Sequence, residues 1–240
     1  MVIKLDVLGF GAHPDDVEIS CGGSIAKLVQ QGKKVGLIDL TMGELGTRGS
    51  GPLRLIEATA AAEILGVQHR ENLQLSDGFF EENQESLIKV IEMIRKYQPD
   101  VVLANSVKDR HPDHARGSQL VSRACFLSGL RKIETSIDGL AQEAWRPKAV
   151  YHYIQDYYTH PDFVIDVSNF FETKMASIKA YRSQFYDPNS PEPDTPISGS
   201  EFFDVLKSRA MDFGRPAGAF LGEGFTVERP PLVDDFFDLA

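Results

Sequence analysis

Two short cassettes, Ala12-His13-Pro14-Asp15-Asp16 and His111-Pro112-Asp113-His114, set three of the chain's six histidines beside three aspartates. Imidazole nitrogen and carboxylate oxygen are ligands for a zinc-type cation, and a carboxylate left over beside them can act as a general base. Pro14 prevents a preceding strand from continuing and forces a turn, so that His13 and Asp16 converge while Asp15 faces elsewhere. Pro112 fits the first turn of a helix, with His111 just before it and His114 within it. The expected metal ligands are therefore His13, Asp16 and His114, and Asp15 is the spare carboxylate.

Two neutral imidazoles and one carboxylate leave a divalent ion net positive, which lowers the pKa of its bound water from about 15.7 to about 7, worth about 12 kcal/mol. Asp15 is then expected to take a proton from that water and return it to a leaving amine. His111, left without a metal to bind, is expected to be protonated beside the reacting carbonyl, a donor of the kind whose loss costs about 2.7–4 kcal/mol. Asp113 is expected to pair with His111 and hold its charge. Zinc is the expected metal, and the same ligands accept iron(II), availability deciding between them. The chemistry is that of a metal-dependent hydrolase.

A third triplet, His160-Pro161-Asp162, is an internal control. It brings no further ligand and precedes a strand pattern instead of following one, so it reads as a turn. His69 and His152 read as structural. Gly9-Phe10-Gly11 imitates a dinucleotide-binding start, but Pro14 stands where the third glycine belongs, and there is no G-x-S-x-G elbow for a serine nucleophile.

Positioning the cassettes requires an α/β framework. Apolar runs at 5–11 and 35–41 flank a helical pattern through Ile25 and Val29, and Arg54 to Leu65 reads as a second helix ending at Gly66. Leu73 and Leu75 suggest a third strand, 87–97 an amphipathic helix, and Val101 to Ala104 a strand buried in a parallel sheet. The expected fold is a Rossmann-like, mostly parallel sheet flanked by helices, with both cassettes at the carboxyl edge where ligands bind. Beyond about 145 the expectation is an irregular α+β elaboration: strands at 149–153 and 163–167, a helix over 169–185, a four-proline loop at 186–200, a helix at 202–211 and a strand at 220–227. The whole of 1–240 reads as one domain, with 1–145 as its core.

The net charge of −10 argues against a sequence-independent grip on nucleic acid. Two distant cysteines, no leader pattern at the start and no run of about 18 apolar residues point to a soluble protein of the reducing cytoplasm, not of a membrane.

The AHPDD and HPDH pair, with Gly43-Glu44-Leu45-Gly46-Thr47 and the Arg54 and Glu57 spacing, resembles the LmbE-like, or PIG-L, zinc-dependent N-deacetylases of N-acetylglucosaminyl conjugates. The Asp109-Arg110 pair, the 181–185 stretch and Gly222-Glu223-Gly224-Phe225 look most like the bacillithiol-pathway branch, which removes acetate from N-acetylglucosaminyl malate. The resemblance implies zinc at His13, Asp16 and His114, a base at Asp15, and oxyanion support from His111 with Asp113. It also implies an aglycone contact at Arg54, with Arg110 a further candidate suited to a dicarboxylate, and a homo-oligomer, as large as a hexamer. Some relatives carry a tyrosine where this chain has Asp109. The alternatives are a mycothiol-like, chitobiose-like or S-conjugate substrate, or a metal-binding protein without activity.

Overall fold

A computed structural model describes residues 2–185 and 187–239. The chain runs β1 (Val7–Gly11), α1 (Asp16–Gln30), β2 (Val35–Thr41), α2 (Gly51–Leu65), β3 (His69–Leu75), α3 (Gln84–Tyr97), β4 (Val101–Ala104) and α4 (Pro112–Leu127). A two-stranded hairpin follows, β5 (Ser136–Ile137) and β6 (Leu140–Ala141), then β7 (Ala149–Tyr153), β8 (Phe163–Asp166), α5 (Phe171–Lys179), α6 (Glu201–Gly214) and β9 (Gly222–Val227). Among the described residues no helix is long and apolar enough to cross a membrane.

Seven strands form one sheet in the order β3-β2-β1-β4-β7-β9-β8. Its first four pairings are parallel, and β9 is antiparallel to both β7 and β8. Strands β1, β2 and β4 are mostly apolar on both faces because helices cover both, whereas the edge strand β3 is largely polar. Leu8, Phe10 and Ile38 point into a cluster with α3 and α4, whereas Val7 and Leu37 point into another with α1 and α2. A third cluster packs α5 and α6 against α2. Strand order reverses at β1, which lies between β2 and β4. The first cassette leaves β1 and the second follows β4, so the two flank this switch point.

Local chemistry sets the helix ends. Ser50 caps α2 by accepting from the Leu53 amide, Pro52 occupies its first turn, and Gly66 closes it at a φ of 74°. Helix α1 begins at Asp16, nine residues before the apolar repeat at Ile25, and kinks at Cys21. The interruption is capped inside the core: the Glu223 carboxylate of β9 accepts from the amides of Gly23 (3.0 Å) and Ser24 (2.7 Å), and Lys174 of α5 donates to it at 2.7 Å.

The helix expected over 169–185 ends at Lys179. The residues after it turn so that Tyr181 donates to Glu18, Ser183 donates to Glu57 through its amide and hydroxyl, and Gln184 accepts from Arg54. Tyr186, the first residue of the expected proline-rich loop, lies outside the described residues.

Candidate active site

The loop after β1 turns at Pro14, and the His13 amide donates to Asp16 Oδ2 at 2.9 Å, fixing the carboxylate at the start of α1. On α4, His111 is the N-cap and Pro112 follows in the first turn, as the spacing predicts. The two cassettes meet. Asp16 Oδ1 lies 3.1 Å from His114 Nε2, and Asp16 Oδ2 lies 3.6 Å from His13 Nδ1. Ring nitrogens of His13, His111 and His114 lie within 4.8 Å of one another, as do ligand atoms of His13, Asp77 and Asp113. A buried imidazole, two half-buried ones and buried carboxylates converging on one point form a donor set that fits a divalent cation.

Asp15 is the exception in this cluster. It has a φ of 109°, a conformation that costs a residue with a Cβ, and its side chain makes no capping bond to the helix that follows. Burial pushes its pKa up to about 7, the Arg54 charge opposing and the Asp16 charge adding to the effect. With His13, Asp16, His111, His114 and Arg54 it lines a cavity of about 460 Å³.

Three supporting residues, Asn105, Gln155 and Asp77, carry no sequence signal, and a fourth, Asp109, is marked only by the family resemblance. Asn105 Nδ2 (2.9 Å) and Gln155 Nε2 (3.1 Å) donate to Asp16, and Asp77 Oδ1 lies 3.0 Å from His13 Nε2. Asp109 is hydrogen-bonded to His114 Nδ1 through one oxygen, and its other accepts from the amides of Asp156 (3.0 Å) and Tyr157 (2.7 Å). Burial opposes charge on His114, but the Asp16 and Asp109 carboxylates raise its pKa to about 9. Asp77, Asn105 and Gln155 follow β3, β4 and β7, so no local spacing relates them to one another.

Two expected relations come out differently. The Asp113 carboxylate does not serve His111: it accepts from the Gly78 amide (2.7 Å) and from Arg116 (2.7 Å) and lies 3.5 Å from His13 Nε2. It is the Asp113 amide that meets His111, donating to Nδ1 at 3.3 Å. Burial, then the His13 and His114 charges, push the His111 pKa down, so the neutral ring is favoured over the expected imidazolium. With Nδ1 accepting, the proton of the neutral ring sits on Nε2 and remains available for donation.

Arg54 is buried at the cavity wall, and Arg110 stands at its edge with Nε 3.1 Å from Asp156. The Gly43-to-Thr47 segment folds over Arg54: Gly43 has a φ of 64°, and a Cβ there would fall 2.0 Å from the guanidinium. His160 is exposed, its ring 3.0 Å from the carbonyl of Pro161. His152 is buried between Ser118, Asn105 and Glu228.

Comparison with known proteins agrees with this geometry. A family model, PIG-L: GlcNAc-PI de-N-acetylase, matches residues 8–125, a span containing both cassettes. Diacetylchitobiose deacetylase of Thermococcus kodakarensis is 34% identical over 232 residues, covering 91% of this chain and 81% of the relative. The chain belongs to the PIG-L/LmbE-like deacetylase family. PIG-L/LmbE-like deacetylases are amidohydrolases acting on N-acetyl groups, which accords with a carboxylate held beside a metal-binding cluster. The probable N-acetyl-alpha-D-glucosaminyl L-malate deacetylase 2 of Bacillus cereus is 26% identical over 185 residues, covering 72% of this chain and 80% of its own. Among solved structures, the conserved protein TT1542 of Thermus thermophilus superposes with a TM-score of 0.84 at 33% identity, covering 97% of this chain and 98% of that one.

Proposed function

We propose that this protein is a zinc-dependent N-deacetylase that hydrolyses the acetamide of an N-acetylglucosaminyl conjugate, releasing acetate and the free amine. The observation that carries the reading is Asp15, a buried carboxylate beside the His13, Asp16 and His114 cluster that lines the cavity without capping its own helix. His13, Asp16 and His114 would hold a divalent cation, which when bound would supply the Lewis acidity that brings proton loss from water into the neutral range. Asp15 accepts a proton from the attacking water and hands it to the leaving nitrogen. His111 donates from Nε2 to the acyl oxygen as charge develops there, and Arg54 holds the conjugate beside Asp15.

Two aglycones are in contention. N-acetylglucosaminyl malate is supported by the branch resemblance, and diacetylchitobiose by the Thermococcus relative, which matches 91% of this chain. Acetate release from both, by zinc-loaded protein, is the direct test. Asp15→Asn should lower kcat by about 100- to 10,000-fold and retain stoichiometric zinc. Loss of zinc in Asp15→Asn would show that Asp15 is a ligand and overturn this division of roles.

A further inference from the structure

The cavity floor is ionic, and one side of its mouth is apolar, facing the Arg110–Asp156 pair at the rim. Leu45, in the loop after β2, and Phe79, in the loop after β3, both line the cavity while leaving 61% and 75% of their surfaces exposed. Large apolar side chains exposed at the entrance of a polar cavity mark a binding surface. Their backbone is held firmly. The Leu45 amide donates to Asp77 Oδ2 at 2.9 Å, the Asp77 amide to Glu44 Oε1 at 2.9 Å, and the Phe79 amide to the Ser76 carbonyl at 3.1 Å. Gly78, between Asp77 and Phe79, is anchored to Asp113 of the second cassette, and a Cβ on it would touch Leu45 Cδ1 at 3.4 Å. The two side chains therefore form one pre-organised apolar surface, tied to residues beside the metal cluster, and little ordering is needed when a ligand covers it.

The two arginines at the rim are already engaged: Arg110 pairs with Asp156, and Arg209 donates to the carbonyls of Gln155 and Asp156. Arg54, buried deeper in the wall, donates to Gln184 and keeps its Nε without a partner among the described residues. An aglycone carboxylate at the rim would have to compete for Arg110 and Arg209. A pyranose ring presents a face of C–H groups that packs on an aromatic side chain.

Resting on the deacetylase reading above, we infer that Leu45 and Phe79 form an aglycone subsite that takes a second sugar ring, making the preferred substrate a disaccharide rather than a malate glycoside.

The test compares kcat/KM for N,N'-diacetylchitobiose, N-acetylglucosamine and N-acetylglucosaminyl malate, using zinc-loaded wild-type, Phe79→Ala and Phe79→Tyr proteins. The wild type should prefer the disaccharide over the monosaccharide by at least about tenfold, and Phe79→Ala should lower that ratio about tenfold, chiefly through KM. Phe79→Tyr, which keeps the aromatic face, should retain the ratio. A preference for the malate glycoside, or a ratio unchanged in Phe79→Ala, overturns the subsite while leaving deacetylation standing. Calorimetric titration of metal-free protein with diacetylchitobiose separates the two readings. If no substrate releases acetate but the disaccharide binds and Phe79→Ala weakens it about tenfold, the subsite survives and the deacetylase reading falls. Absence of disaccharide binding overturns the subsite.

Discussion

Asp109 holds His114 from behind, the relation by which a carboxylate fixes the ring orientation of a metal-ligating histidine and raises its basicity. Its other oxygen is occupied by the amides of Asp156 and Tyr157, so one side chain couples the second cassette to the loop carrying Gln155, which itself donates to Asp16. Asp109→Asn preserves an acceptor for those amides and removes the charge from His114. Zinc affinity in this variant should fall about 10- to 100-fold, measured by titration against a competing chelator, with the unfolding midpoint of the metal-free protein little changed; undiminished affinity would dismiss the role. At this scale the cassettes are legible because proline and ligand spacing are local properties of the chain. Asp77, Asn105 and Gln155 are not, because each is an ordinary polar residue until the fold brings it to His13 or Asp16. His111 misled for a related reason: its charge depends on burial and on the His13 ring, about a hundred positions away in the sequence, as well as on nearby His114.

Among the elements, α1 departs furthest from its sequence pattern. Gly22 and Gly23 interrupt the apolar repeat, and nothing local explains how a helix persists across them. The answer comes from two hundred residues away, in the Glu223 carboxylate that satisfies the amides of Gly23 and Ser24. Gly23 is needed there because a Cβ would come within 2.8 Å of Val167. Glu223→Ala should destabilise the protein by about 3–5 kcal/mol, because it leaves Lys174 as a buried unpaired charge and frees two amides at once. Urea unfolding checks this, and a loss below about 1 kcal/mol would mean that water enters and replaces the carboxylate. The 181–185 stretch carries the same lesson. Its apolar spacing reads as helix, but the demands of Glu18, Glu57 and Arg54 for partners bend it into a turn. Strands β1, β2 and β4 are readable because helices on both faces make them mostly apolar, and β9 is readable as a strand at 220–227, although its two glycines in six residues do not show that it pairs antiparallel to β7 and β8.

For the whole molecule, the proposed metal cluster would link separate parts of the chain. His13 and Asp16 enter from β1 and α1, and His114 enters from α4 across the sheet's switch point. A ligand binding only the folded state stabilises it by mass action, so free zinc at a hundred times its dissociation constant should add about 2.7 kcal/mol. Melting curves with zinc and with a chelator should differ by several degrees, and coincident curves would rule out a folded-state metal site. The same scale exposes a tension at Asp15. A φ of 109° and an enclosed carboxylate both weigh against the folded chain, and both persist because the rest of the structure enforces them. Glycine would accept that backbone without the carboxylate. Asp15→Gly, assayed without metal, should therefore melt higher than Asp15→Ala by a few degrees, on the order of 1–3 kcal/mol. On the proposed mechanism, the strain at this aspartate is a compromise in which the fold gives up thermal resilience to keep one proton acceptor beside the bound acetamide.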